Sequence, residues 1–314
     1  MYFFEVYSDI GAGKEGTIHG VAMLSQHITK TYPDAPITKI YPKEVTGEIC
    51  HPYARHIERL TPFFEEVLTP TLQDGLLAAQ TAGNFPVVIS GDHANAIGNV
   101  SAFLNHHQDK KVAIVWIDAH ADLHTVYTTP SGNMHGMPLG AVLGLDNKEC
   151  QINDLDSETH EYWERLKRLA MHKPAPSDVY FLGLRSFEPP ETHLIDTHHI
   201  FSVSAEMHRV NFAQILDDLA EKLSHYGAIY VSFDVDALDE SLIPATGTPE
   251  PLGYTTEEVR AIFDKVLSLP NVGLFEITEF NPTLDADQEK YATVFGLFDH
   301  ALSVLSCRQS KNSF

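Results

Sequence analysis

Asp118, His120 and Asp122 stand two residues apart directly after the apolar run Val112–Ile117. An uninterrupted apolar run of this length reads as a strand buried on both faces. If extended geometry continues past it, the spacing puts the three side chains on one face. Two carboxylates and an imidazole at the end of a buried strand need a compensating charge, which divalent cations supply. The same pattern recurs. Gly91-Asp92-His93 follows the run at 85–90, Asp234-Val-Asp236 follows 228–233, and Thr278-Glu279-Phe280 follows 272–277. His93, Asp118, His120, Asp122, Asp234 and Asp236 offer nitrogen and oxygen donors and no thiolate. That is more than one tetrahedral zinc uses. The set suits manganese or another octahedral-preferring divalent ion, and is enough for two ions sharing carboxylates. Two such ions ~3.5–4 Å apart hold a water and lower its pKa toward neutrality, which is hydrolytic chemistry.

These clusters need strands and crossovers to hold them. Further strands are expected at 2–7, 36–41, 179–184 and 199–203, and helices at 17–31, 52–80 (broken near Pro62 and Pro70), 95–106, 139–145, 161–171, 211–224 and 290–306. A helix at 255–269 opens with a Thr255/Glu258 capping box. Gly11-Ala-Gly-Lys-Glu-Gly16 lacks the spacing of a phosphate loop and reads as a glycine-permitted turn into the first helix. Strand and helix alternate from end to end with no linker, repeat or low-complexity block. The expectation is a single α/β domain over 1–314 with a mainly parallel sheet. Ligand sites in such sheets lie at the carboxyl ends of strands, so all the polar clusters fall on one edge.

The balance of 43 Asp and Glu against 21 Lys and Arg gives a net charge of -22. That excludes a basic nucleic-acid surface, and an anionic membrane would repel it. A cationic substrate and multivalent cations suit the field. Cys50, Cys150 and Cys307 are widely spaced and form no CxxC or disulfide framework. The N-terminal MYFFEVYSDIGAG lacks a charged leader region, and no run approaches ~18 apolar residues. A cytoplasmic enzyme is expected.

GDHANAIG (91–98), WIDAHADLHT (116–125), SGNMHG (131–136), SFDVDALDESLIPATGTP (232–249) and EFNP (279–282) resemble the ureohydrolase family of arginases, agmatinases, guanidinobutyrases and formiminoglutamases. The resemblance covers nearly the whole chain in order, and TTPSGNMHG is most similar to arginase. It implies a three-layer α/β/α domain with two Mn2+ ions. His93 and Asp122 would serve one ion, His120 and Asp236 the other, with Asp118 and Asp234 bridging. It implies attack of a metal-bridging hydroxide on the guanidino carbon of L-arginine, giving urea and L-ornithine. Asp122 would accept a hydrogen bond from the nucleophile, His135 would shuttle the proton, and Glu279 would pair with the guanidinium beside Thr246. A homo-oligomer, trimer or hexamer, follows from the same resemblance.

The substrate end departs from the arginase pattern. His124 stands where arginases have Asn, and Glu188 where they have Asp, while Ser131 and Asn133 are retained. One added methylene moves a carboxylate by more than ~1 Å. N-hydroxy-L-arginine or another guanidino acid, as in guanidinobutyrases or agmatinases, is the alternative substrate. Two readings from other classes are a deacylase of the deacetylase fold and a catalytically silent metal-binding protein. The first needs only one Asp-His-Asp set, and the second would be expected to have lost a ligand.

Overall fold

The computed structural model describes residues 1–43, 51–285 and 287–311, so Cys50 lies outside the described residues. Eight runs form strands: β1 (Tyr2–Val6), β2 (Ile37–Ile40), β3 (Pro86–Ser90), β4 (Val112–Ile117), β5 (Val179–Leu182), β6 (Phe201–Val203), β7 (Ala228–Asp234) and β8 (Val272–Thr278). They join one sheet in the order β2-β1-β3-β8-β7-β4-β5-β6, and every pairing is parallel.

Parallel strands need crossovers, and the crossover helices cover both faces, so interior strands carry apolar residues without alternation. In β4, Ala113, Val115 and Ile117 enter one core while Val112, Ile114 and Trp116 enter the other. Helices Thr17–Thr31, Phe212–Leu223, Thr256–Val266 and Gln288–Lys311 close the first core through Leu24, Leu219, Phe263 and Leu302. Helices Thr69–Thr81, Ala96–His106 and Ser157–Arg168 close the second through Leu72, Phe103 and Trp163. The result is the expected three-layer α/β/α arrangement.

Local chemistry sets the boundaries. The helical pattern at 52–80 forms Ile57–Phe63, a π-helical segment Phe64–Leu68, and Thr69–Thr81. Pro62 sits inside the first piece, where it removes a donor, and the wider turn follows directly. Pro70 lies in the opening turn of the third piece, where a missing N–H costs little. The Thr255/Glu258 capping box forms, with Glu258 N donating to Thr255 Oγ1 at 3.2 Å and Thr255 N to Glu258 Oε2 at 2.8 Å. The strand expected at 199–203 is shorter, because His199 (φ 51°) terminates an unforeseen helix, Pro189–His198. Two prolines open that helix, and the Glu188/Glu191 box caps it.

The four strands followed by the polar clusters, β3, β8, β7 and β4, are neighbours at the middle of the sheet. The chain leaves β3 and returns as β4 with a gap between them, later filled by β7 and β8. This is the reversal of strand order at which α/β sheets open a crevice. Gly91, just past β3, is wedged in it. Its carbonyl accepts Glu279 N at 2.9 Å and Thr278 Oγ1 at 3.0 Å, and a Cβ there would lie 2.0 Å from the Ser8 carbonyl oxygen. Gly91→Ala is therefore expected to destabilise the fold by about 2 kcal/mol, read as a lower urea midpoint at unchanged slope.

Candidate active site

β4 does not stop pairing abruptly. Asp118 N donates to Leu182 O at 3.0 Å, and a single further bridge joins His120 to Ser186. This keeps Asp118 and His120 over the sheet edge. Asp122 then adopts φ 50°, a left-handed conformation uncommon outside glycine, Asn and Asp. Glu279, just after β8, has φ 63°. Two of the expected functional carboxylates thus sit on backbone that the surrounding fold must hold in place.

The six expected ligands converge. His93 Nδ1 lies 3.1 Å from Asp118 Oδ2, 3.1 Å from Asp122 Oδ2 and 3.2 Å from Asp234 Oδ2. His120 Nδ1 lies 3.1 Å from Asp236 Oδ2 and 3.5 Å from Asp118 Oδ1. His93, Asp118 and Asp234 form one group that could hold a metal ion, and Asp118, His120 and Asp236 form another, so Asp118 belongs to both.

His93 is oriented from behind. Its ring stacks on Trp116 with centroids 4.1 Å apart. Its Nε2 lies 2.9 Å from Ser232 Oγ, which itself donates to the buried Glu276 carboxylate at 3.1 Å. Glu276 also takes hydrogen bonds from Tyr230 and Asn99. Since the Ser232 proton goes to Glu276, Ser232 accepts from His93 Nε2–H, which turns Nδ1 toward the aspartates. Neither His93 Nδ1 nor Asp118 Oδ2 has a hydrogen-bond partner. Burial, then the neighbouring Asp236 and Asp118 charges, push Asp234 well above the ordinary carboxylate range. Burial and Asp118 lift Asp122 to about 6. Burial alone would lower the His93 pKa, but the aspartates raise it well above its ordinary value. An imidazole nitrogen turned onto crowded, costly carboxylates is a donor set that fits divalent cations in place of a proton.

A cavity of about 330 Å³ opens over these groups and is lined also by His124, Ser131, Asn133, His135, Glu188 and Glu279. Glu279 is 3% exposed, and its Oε1 accepts His93 N at 2.8 Å. His135 Nδ1 is 3.3 Å from the same oxygen. Burial alone would lower the His135 pKa, but the hydrogen bond and charge of Glu279 outweigh it and raise the value.

At the outer wall His124 is buried, with Nε2 2.7 Å from Glu188 Oε2 and Nδ1 3.2 Å from Thr128 Oγ1. The hydrogen bond to His124 draws the Glu188 carboxyl down to about 2, whereas burial raises Glu191 to about 7. Both Glu191 oxygens are engaged by backbone, accepting Leu123 N at 3.1 Å and Glu188 N at 3.0 Å. His124 thus links Asp122's loop to the Glu188 turn, a contact across 64 residues.

One expected residue is displaced. Thr246 is buried and does not line the cavity, whereas Thr248 does, with Oγ1 donating to Asp236 Oδ2 at 3.2 Å. The two threonines alternate in an irregular loop, and the second is the one turned to the site. Ser186, Glu191 and Glu250 complete the wall and were not singled out in the sequence. Ser186 and Glu191 stand within three residues of Glu188 in the chain, and nothing in the sequence marks Glu250. In the Gly11–Gly16 turn, Lys14 Nζ donates to Gly247 O at 2.8 Å, in the loop that carries Thr246 and Thr248.

Residues 5–300 match the family described as the arginase family. The chain belongs to that family. It is 31% identical to the arginase of Eremothecium gossypii over 247 residues, 75% of this chain and 58% of that protein. It is 29% identical to the mitochondrial arginase-2 of Rattus norvegicus over 290 residues, 90% and 75% of the two chains. The crystal structure of Helicobacter pylori arginase superposes with a TM-score of 0.83 at 28% identity, covering 97% of this chain and 99% of that one. That of Entamoeba histolytica arginase in complex with L-ornithine gives 0.80 at 25%, covering 97% of each. The match with the first of these relatives thus spans under two thirds of its length, while the structural likeness runs nearly end to end. No helix among the described residues of this arginase-family chain is long and apolar enough to cross a membrane.

Proposed function

We propose that this protein is a ureohydrolase that cleaves the guanidino group of L-arginine to urea and L-ornithine. The observation that carries the reading is the placement of Glu279 on one cavity wall with His93, His120, Asp122, Asp234 and Asp236, while Asp118 is common to the two histidine–aspartate groups. The family and its arginase relatives support the substrate. In this reading His93, Asp118, His120, Asp122, Asp234 and Asp236 would hold two divalent ions between them. The oxygen-rich donor set favours manganese. The ions, when bound, supply a water acidified enough to act as the nucleophile near neutral pH.

The chain's own residues do the rest. Glu279 receives the guanidinium as a buried countercharge and fixes the carbon over the aspartates. Asp122 offers a carboxylate oxygen to the attacking water's proton. His135, held toward Glu279 through Nδ1, carries a proton to the departing amine through its other nitrogen. Ser131, Asn133 and Glu188 receive the amino-acid end. Trimeric or hexameric assembly belongs to the same reading through the family resemblance.

The direct test is urea release by manganese-loaded protein given L-arginine. Absence of urea would overturn the proposal. His135→Ala is expected to slow turnover about a hundredfold at unchanged metal content, measured by steady-state kinetics beside elemental analysis. A second reading, a guanidino acid without an α-ammonium such as guanidinobutyrate, is favoured by the 2.7 Å His124–Glu188 contact, because it engages a carboxylate that would otherwise face an α-ammonium. N-hydroxy-L-arginine shares the amino-acid end of arginine and is the alternative at the guanidino end. The two readings separate by kcat/KM across a panel of arginine, N-hydroxyarginine, agmatine and guanidinobutyrate.

A further inference from the structure

We propose that Glu250 is a positioning residue for His120, acting as the outer carboxylate that receives the proton of its Nε2; this rests on the metal-centre reading above. A metal-binding imidazole usually donates its remote N–H to a carboxylate, carbonyl or water, which fixes the ring and strengthens the ligand. For His93 that role falls to Ser232 and Glu276 behind the ring. His120 has no such support from the core. Its Nδ1 faces Asp236 and Asp118, and Nε2 points outward to Glu250 Oε1 at 3.7 Å.

Glu250 is held for this task. Ser186 Oγ donates to the same Oε1 at 2.9 Å, and Ser186 is the bridge partner of His120 on the extension of β4 and β5. The loop carrying Glu250 is fastened through backbone. Arg185 Nη2 donates to the carbonyls of Glu250 (3.0 Å), Asp236 (2.7 Å) and Leu238 (3.1 Å), and Arg185 Nε to that of Pro251 (2.8 Å). Glu240 N donates to Glu250 O at 3.1 Å. The fold therefore does not need the Glu250 carboxylate to place the loop. That side chain meets Ser186 and His120 on the cavity wall. A hydrogen bond at 3.7 Å is too long, so the contact is an ion-pair approach that shortens when the imidazole is drawn onto a cation and Nε2–H becomes more acidic.

The experiment is a manganese titration of the metal-stripped protein by calorimetry, with a cobalt(II) absorption spectrum as the reporter of ligand geometry. Glu250→Ala is expected to weaken one of two binding steps about 10- to 100-fold and leave the other at its parental value. Ser186→Asp places a carboxylate on the bridge partner of His120, and the double variant with Glu250→Ala is expected to recover affinity and the parental cobalt spectrum. Glu250→Ala binding two equivalents with parental affinities would overturn the proposal. Equal weakening of both steps would overturn it as well, since that outcome reports a disturbed loop. A parental protein binding no manganese would remove the metal-centre reading itself, and this assignment with it.

Discussion

Asp122→Asn is expected to eliminate measurable urea release, a loss of at least about 10²-fold, and to reduce bound manganese from two equivalents toward one. The amide keeps the shape of the side chain and loses its charge. It also brings an amide N–H within reach of His93 Nδ1, now 3.1 Å from Asp122 Oδ2, to which it can donate whenever that nitrogen is unprotonated. That hydrogen bond would occupy the nitrogen a cation needs. A second consequence has the opposite sign. Asp122 is one of four buried aspartates expected to hold the cations, and burial has raised its pKa to about 6. Near neutral pH the metal-free protein must hold that carboxylate ionised in a poor environment. Removing the charge should raise the Tm of the metal-free variant above that of the metal-free parent and shrink the stabilisation that manganese confers. Calorimetric scans with and without chelator read both effects. Parental turnover in Asp122→Asn would disprove the role given to Asp122.

Glu279→Gln should lower kcat/KM for arginine by about 10²-fold, the effect of removing one partner of a buried charge pair worth about 3 kcal/mol. Metal content should not change, because the amide oxygen can still accept His93 N and no expected ligand is altered. The pH profile separates this from a general loss of structure. Glu279 raises the His135 pKa. Without its charge the value falls, so the limb of the rate profile reporting His135 moves to lower pH. A variant that loses activity with an unmoved profile would contradict the His135–Glu279 coupling.

Legibility in the sequence followed burial and periodicity. The strands carrying the ligands are apolar throughout because both faces are covered, so β3, β4, β7 and β8 and the polar residues after them could be placed within a residue or two. The helix at Pro189–His198 was hidden, because Pro189-Pro190 reads as an interruption and here opens a capped helix. Loops were harder still. Thr246 and Thr248 differ only in which way an irregular segment turns them, and no period sets that. The His124–Glu188 and Glu250–Ser186 contacts join segments 64 residues apart in each case. Their partners emerge only once β4, β5 and β7 stand side by side.

The sheet order has a consequence for how the protein is made. β8 is the last strand in the chain, yet it lies between β3 and β7. Until residue 278 has been synthesised, those two strands have open inner edges and the sheet exists at most as two separate halves. His93 and Glu279 belong to the β3 and β8 ends, while Asp118, His120, Asp122, Asp234 and Asp236 belong to the β4 and β7 ends. The donors proposed for the first ion are therefore divided between halves that a late strand must join. Non-local closure of this kind is slow and leaves apolar edges exposed meanwhile. A chain stopping short of β8 would lack the closed sheet that brings the proposed donors together, and cation loading would mark the moment when the two halves have joined.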